Sequence, residues 1–174
     1  MEGKIKAVLV GDKISSNTEE AFKLLSSQRF GEKIDEKIFY SLSEALYLVE
    51  SGKMDIFDFQ NKKIGEKKIF SKFQRIDRKF RTKYFIFRDL RKRGLIVKTG
   101  LKFGAEFRVY QKGASIGKEH AKWILFPVDE HSSFTWHDFS AKNRVAHSTK
   151  KALLLGIVDE EGDVSYYEVQ WIKP

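Results

Sequence analysis

Phe107-Arg108-Val109-Tyr110-Gln111-Lys112-Gly113, Trp123-Ile124-Leu125-Phe126-Pro127-Val128 and Leu153-Leu154-Leu155-Gly156-Ile157-Val158 decide the fold of the second half of the chain. The first closes an alternating run that begins at Phe103, with Phe103, Ala105, Phe107 and Val109 on one parity, and predicts a half-buried strand. The second is a buried strand that ends at a proline, and the third is apolar enough to sit at the centre of a sheet. Between them Ser132, Ser133 and Thr135 mark the start of a helix that continues through His147, with Phe139, Val145 and Ala146 facing inward. Tyr110 breaks the strand's parity and is expected to point away from its apolar face.

Working outward, Asp159-Glu160-Glu161-Gly162-Asp163 makes an acidic turn and Val164 to Ile172 a final strand. Upstream, Gly94 is a good helix C-cap, and Leu95 to Gly100 reads as the strand that opens this unit. Glu66 to Arg93 is the most helical part of the sequence. Ile69, Phe73, Ile76, Phe80, Tyr84 and Phe87 recur at three- and four-residue spacing, with a change of phase expected around Arg81-Thr82-Lys83. The first sixty residues give a small α/β unit. Lys4 to Gly11 is a strand feeding a turn, and Ser16 to Glu20 starts a helix with Ala21, Leu24 and Leu25 inward. Lys37 to Tyr40 is a second strand, Ser41 or Ser43 caps a helix over Leu42 to Val49, and Met54 to Phe59 alternates as a third. The predicted class is α/β (α+β). A mixed N-terminal domain, 1–93, includes the basic connecting helix, and a C-terminal domain, 94–174, has a central mixed sheet flanked by helices.

The chain has 174 residues, 33 Lys+Arg against 24 Asp+Glu and no cysteine. Disulfides, thiolate zinc sites and cysteine nucleophiles are excluded together. The formal net charge of +9 points to a polyanionic partner. It is concentrated in residues 61–100, where fifteen basic and three acidic side chains leave a net of +12. A solvated outer helix face accounts for such a run as well as RNA contact does. No apolar run reaches the roughly 18 residues that span a bilayer. No signal-like apolar segment follows Met1-Glu2-Gly3-Lys4, so a cytoplasmic protein without membrane contact is expected.

Chemistry concentrates between Phe107 and Lys151. A strand ends on Tyr110, a glycine-bounded loop presents His120, and the segment after the helix brings Lys150 and Lys151. A phenol, an imidazole and an ammonium, with no cluster of metal ligands, suit proton transfer beside a phosphate. An isolated phenol, with a pKa of about 10, is a poor base at neutral pH, whereas imidazole at about 6.5 serves as acid or base. The residues alone therefore leave the two proton-transfer roles exchangeable. His131 and His137 have no partner at a metal-binding spacing, and no metal or other cofactor is expected.

Phe107-Arg108-Val109-Tyr110 with Lys112-Gly113, then Lys118-Glu119-His120, then Arg144-Val145-Ala146-His147-Ser148-Thr149-Lys150-Lys151, and the tail Tyr166 to Pro174 resemble the archaeal tRNA-splicing endonucleases of the short homotetrameric type. The resemblance covers the second half at motif level, and the length and N-terminal layout also fit. It implies Tyr110 as general base, His120 as general acid and Lys151 as electrostatic stabiliser, Lys151 rather than Lys150 because it leads into the apolar strand. It implies RNA binding by Arg144 and Trp171, which would hold a bulged base between guanidinium and indole; packing at a subunit interface is an equal reading of Trp171. His147, four residues before Lys151, receives no role. The acidic turn, Asp159, Glu160, Glu161 and Asp163, would insert into a basic cleft of a neighbouring subunit. The implied activity is excision of introns from precursor tRNA at a bulge-helix-bulge by a homotetramer, a dimer of dimers, leaving 2′,3′-cyclic phosphate and 5′-hydroxyl ends. The alternative is a non-catalytic RNA-binding subunit of a hetero-oligomeric enzyme.

Overall fold

The computed structural model describes residues 3–174, which form two compact units, the first ending at Arg81 and the second starting at Thr82. The first unit holds a five-stranded sheet in the order β3-β4-β2-β1-β5: β1 Ile5–Val10, β2 Lys13–Ser16, β3 Glu32–Ile34, β4 Lys37–Tyr40 and β5 Met54–Phe57. Alternation along β1 buries Ile5, Ala7 and Leu9 and exposes the residues between them. Helix α1 (Glu19–Gln28) begins at Thr18, and α2 (Leu42–Glu50) begins at Ser41 with a complete capping box to Glu44. Glu44 is buried and its carboxylate also accepts from the backbone N–H of Gly31 at 3.0 Å, so the cap ties α2 to the turn before β3.

Two strands, β2 and β3, escape the sequence reading. Ser16 carries helix-start chemistry, yet it is a buried strand end whose hydroxyl donates to the Lys6 carbonyl at 2.7 Å and accepts from the Thr18 N–H. The long basic helix is also two helices, α3 (Glu66–Ile76) and α4 (Phe80–Lys92), divided earlier than the phase change suggested. Asp77 makes the break, because its carboxylate accepts from the Lys79 N–H and its carbonyl from the Phe80 N–H, giving the backbone local partners in place of helical ones. Ile76 falls off the apolar stripe and is exposed.

The second unit holds a mixed sheet in the order β10-β9-β8-β7-β6: β6 Ile96–Thr99, β7 Phe107–Tyr110, β8 Trp123–Asp129, β9 Ala152–Val158 and β10 Val164–Val169. Only β8 and β9 run parallel, and α5 (Trp136–Ser148) is their crossover. The register separates the faces. The row Arg108, Ile124, Leu153 lies on the side of α5, where Ile124 and Leu153 pack with Ala146. The adjacent row, Phe107, Leu125, Leu154, lies on the side of α4, where the Phe87 and Phe107 rings meet at 6.1 Å. Gly156 shares that second side. A Cβ there would stand 2.9 Å from Ile86, so the glycine lets α4 settle close to the sheet. These contacts place the body of α4 in the second unit, with the division at residues 81 and 82, whereas the sequence reading carried the whole basic segment to Arg93 into the first.

Three strand limits also differ from the reading. Residues Leu101–Phe103 form a 3-10 turn closed by Gly104 at φ 69°, so β7 starts only at Phe107. Strand β8 continues through Pro127 to Asp129, paired with β9 along its length, while β7 pairs no further than Leu125. Strand β10 ends at Val169, leaving Trp171 beyond it. Among the described residues no helix is long and apolar enough to cross a membrane.

Candidate active site

Val109 pairs with Trp123 and Trp123 with Ala152, while Val169 pairs with Leu153 on the far side of β9. Continuing that register one step past the ends of β8 and β9 and two past the end of β10 gives a single row, Tyr110, Lys122, Lys151, Trp171. Backbone bonds extend part of it, from Lys122 N to the Val109 carbonyl at 3.0 Å and from Ala152 N to the Lys122 carbonyl at 3.1 Å. Adjacent strands lie about 4.8 Å apart, so the Tyr110 and Lys151 backbones stand roughly 10 Å from one another on one end of the sheet. Side chains of one row share a face, here that of α5.

Tyr110 is not an edge aromatic facing solvent, as its parity had suggested. It is 5% exposed and packs with Ile96, Ala114 and Ala121 in a small cluster of its own. Its ring is therefore fixed, while its hydroxyl makes no hydrogen bond to any described residue. Ala114 and Ala121 also pin both ends of the loop that carries His120. Inside it, the Lys118 and Glu119 N–H groups donate to the Ser115 carbonyl, and the Glu119 carboxylate accepts from the Ser115 N–H at 2.8 Å. Gly117, at φ 100°, makes the reversal that an L side chain resists. His120 follows this closed turn directly and is exposed, one residue before the buried Ala121.

Lys151 leaves α5 through Lys150, whose φ of 55° redirects the chain into β9. Its ammonium donates to the Thr149 carbonyl at 2.8 Å and stands 5.2 Å from the centre of the Phe103 ring. The Arg108 guanidinium lies 5.4 Å from the same ring and is anchored to the Thr99 carbonyl at 2.9 Å. Burial, and secondly this neighbouring guanidinium, hold the Lys151 ammonium below the usual lysine range. Sequence reasoning missed Arg108. Its position two residues before Tyr110 on one strand, hence on one face, was the available signal.

Beyond Lys151 a cavity of about 400 Å³ opens between the end of α5 and the tail, lined by Lys122, Asn143, His147, Lys150, Lys151 and Trp171 among others. The Trp171 indole meets the His147 imidazole, with ring centres 4.6 Å apart. Arg144 is exposed on α5 and is not part of the lining. A larger cavity of about 480 Å³ in the first unit, beside Ile5 and Leu24, contains none of the predicted site residues.

The acidic turn is a closed structure. The Asp159 carboxylate accepts from the Gly162 and Asp163 N–H groups at 2.8 Å, which leaves Glu160, Glu161 and Asp163 exposed. A Cβ on Gly162 would stand 2.9 Å from Phe85, so the turn rests against α4. His131, unpaired by spacing, finds Glu160 across the fold at 2.9 Å, and this bond raises its pKa above the ordinary histidine value. The ligand atoms of Glu130, His131 and Glu160, and those of Asp159, Glu161 and Asp163, gather closely enough to hold a cation, although all lie at the surface or near it.

Comparison with known proteins gives the class first. Residues 80–166 match the catalytic C-terminal domain of the tRNA intron endonucleases, and residues 5–70 match their N-terminal domain. The protein is an endonuclease. Its sequence is 40% identical over 174 residues to the tRNA-splicing endonuclease of Thermococcus onnurineus, covering 99% of each chain. It is 42% identical over 166 residues to that of Thermococcus kodakarensis, covering 95% of this chain and 96% of the other. The Methanothermobacter thermautotrophicus tRNA-splicing endonuclease is 37% identical over 157 residues, covering 90% and 91%. The chain belongs to the tRNA intron endonuclease family.

Proposed function

We propose that the chain excises introns from precursor tRNA by cutting both splice sites of a bulge-helix-bulge RNA. The row of Tyr110, Lys122 and Lys151, together with the packing of Ala114 and Ala121, at the two ends of the His120 loop, against Tyr110, supports this reading. The 2′-hydroxyl beside the splice site attacks its own phosphorus, and its proton passes to Tyr110. His120 protonates the departing 5′-oxygen, and Lys151 stabilises the negative charge on the non-bridging oxygens as the phosphorane forms. The P–O5′ bond breaks as the P–O2′ bond forms, leaving a 2′,3′-cyclic phosphate and a 5′-hydroxyl. Proton acceptor, proton donor and cation all come from side chains, so the reaction needs no metal ion. Arg144 and Trp171 bind the RNA by stacking, and recognition is by shape, because an RNA helix presents few readable base edges in its deep groove.

Two cuts require two such sites, and a homotetramer built as a dimer of dimers supplies them. The preformed acidic turn 159–163 and the basic run 61–100 are complementary surfaces on one chain, which favours self-assembly. Strand β10 is a sheet edge with Tyr167 exposed, a second surface suited to a copy. The test is incubation of purified protein with a bulge-helix-bulge RNA in excess EDTA, followed by analysis of the ends. Cleavage to cyclic phosphate and 5′-hydroxyl ends is expected. Loss of cleavage in EDTA overturns the mechanism, and no cleavage with or without metal points to a non-catalytic subunit.

A further inference from the structure

The cavity beside Lys151 contains a group the cleavage chemistry does not use. Asn143, on α5, is 8% exposed and lines the cavity, yet its side-chain amide has no hydrogen-bond partner among the described residues. The amide opens onto the cavity, so its donor and its acceptor are both available to a group that enters. The amide atoms are not sealed off, unlike the Tyr40 hydroxyl, which is buried and also without a bond. His147 lies one helical turn on, on the same face, and its ring meets that of Trp171 to form an aromatic wall. Lys122 and Lys150 supply positive charge at the rim. The only carboxylate in the lining, Glu168, is occupied by the Trp123 indole N–H and the Gln170 amide, each at 2.7 Å.

We propose that this cavity is a nucleobase-reading pocket, in which Asn143 hydrogen-bonds the edge of one unpaired base beside the cleaved phosphate. This rests on the proposed RNA-cleaving site and goes beyond it, because stacking and shape alone tolerate any base. An amide presents a donor and an acceptor side by side, which match N7 and the N6 amino group of adenine. Adenine is therefore the preferred occupant. A cavity of about 400 Å³ lies within the size range of small-molecule sites. The lysines at the rim face the phosphates on either side of the base.

The experiment is single-turnover cleavage of bulge-helix-bulge RNAs that carry each of the four bases, in turn, at each of the two unpaired nucleotides flanking the cut. Unaltered protein should cleave the adenine substrate about tenfold faster at one of those positions, and Asn143→Ala should bring that substrate down to the level of the others. Equal rates for all four bases at both positions, or an adenine preference that survives Asn143→Ala, would overturn the proposal. If Asn143→Ala does not fold, as judged by thermal melting, the four-base comparison on unaltered protein decides alone. Absence of cleavage with every RNA would instead sink the reading of the active site, and with it this inference. The two failures are therefore distinguishable.

Discussion

Tyr110 and Tyr166 are both largely buried tyrosines of the second unit, and their hydroxyls stand in opposite situations. That of Tyr166 donates to the Asp89 carboxylate at 2.9 Å, and burial together with this bond raises its pKa. That of Tyr110 bonds to no described residue, while its ring packs with Ile96, Ala114 and Ala121. Tyr110→Phe keeps the packed ring and breaks no intramolecular bond, so the fold should lose less than about 0.5 kcal/mol. If the phenol moves a proton in the transition state, its removal should slow cleavage by about 10²–10⁴-fold. That corresponds to about 3–5 kcal/mol of barrier at 1.36 kcal/mol per tenfold. Tyr166→Phe should behave in reverse. Loss of a hydrogen bond to a carboxylate that retains Arg93 at 2.7 Å should cost about 1–2 kcal/mol of stability, with cleavage little changed. Urea unfolding and single-turnover cleavage on both variants measure the two quantities separately. The reasoning is refuted if Tyr110→Phe cleaves within threefold of the unaltered protein, or if its lost activity follows a lost fold.

Three further outcomes follow from the contacts. If Lys151 stabilises the phosphorane as proposed it acts in its charged form, so cleavage should decline as pH rises through its lowered pKa; Arg108→Gln removes one like charge and should move that alkaline limb to higher pH in a pH–rate profile, a limb that stays in place contradicting the pairing over Phe103. Titration of His131 by NMR should give a pKa above the model-peptide value of about 6.5, and Glu160→Gln should lower it. The folded-state pKa is the raised one, so the stabilising bond is fully present below about pH 6.5 and is lost as pH rises through the folded value. Glu44→Ala removes the hydrogen bond to the Gly31 N–H and half of the α2 capping box, so urea unfolding should show a loss of about 2–4 kcal/mol; a loss below 1 kcal/mol would mean that water replaces the carboxylate.

The sequence carried the second unit further than the first. Leu153–Val158 is buried enough to be read as an interior strand, and Thr135 caps α5 as its residue type suggests. Strands β2 and β3 were not legible, because one is four residues ending in serine and the other three exposed residues around a turn. Local chemistry there signals caps and loops, and pairing, of β2 to β1 and β4 and of β3 to β4, makes strands of them. The site divided in the same way. Tyr110, His120 and Lys151 could be named from their residue types and motif, but the row that joins Tyr110 to Lys151 depends on pairing between strands distant in sequence. Arg108 lies inside a motif that gave it no role, and Asn143 lies in none. One is found by its place over the ring of Phe103, the other by an amide left without a partner.

The most direct measurement of the central claim is a crystal structure with a bulge-helix-bulge RNA whose 2′-hydroxyl is absent at each splice site, so that the phosphate binds and cannot be cut. The phosphate should sit at the open end of the second sheet, with the Tyr110 hydroxyl, a His120 ring nitrogen and the Lys151 ammonium within about 2.6–3.2 Å of its oxygens or of the missing hydroxyl's position. A phosphate seated elsewhere, or one reached by Lys151 alone, would contradict the assignment of these three residues to one reaction.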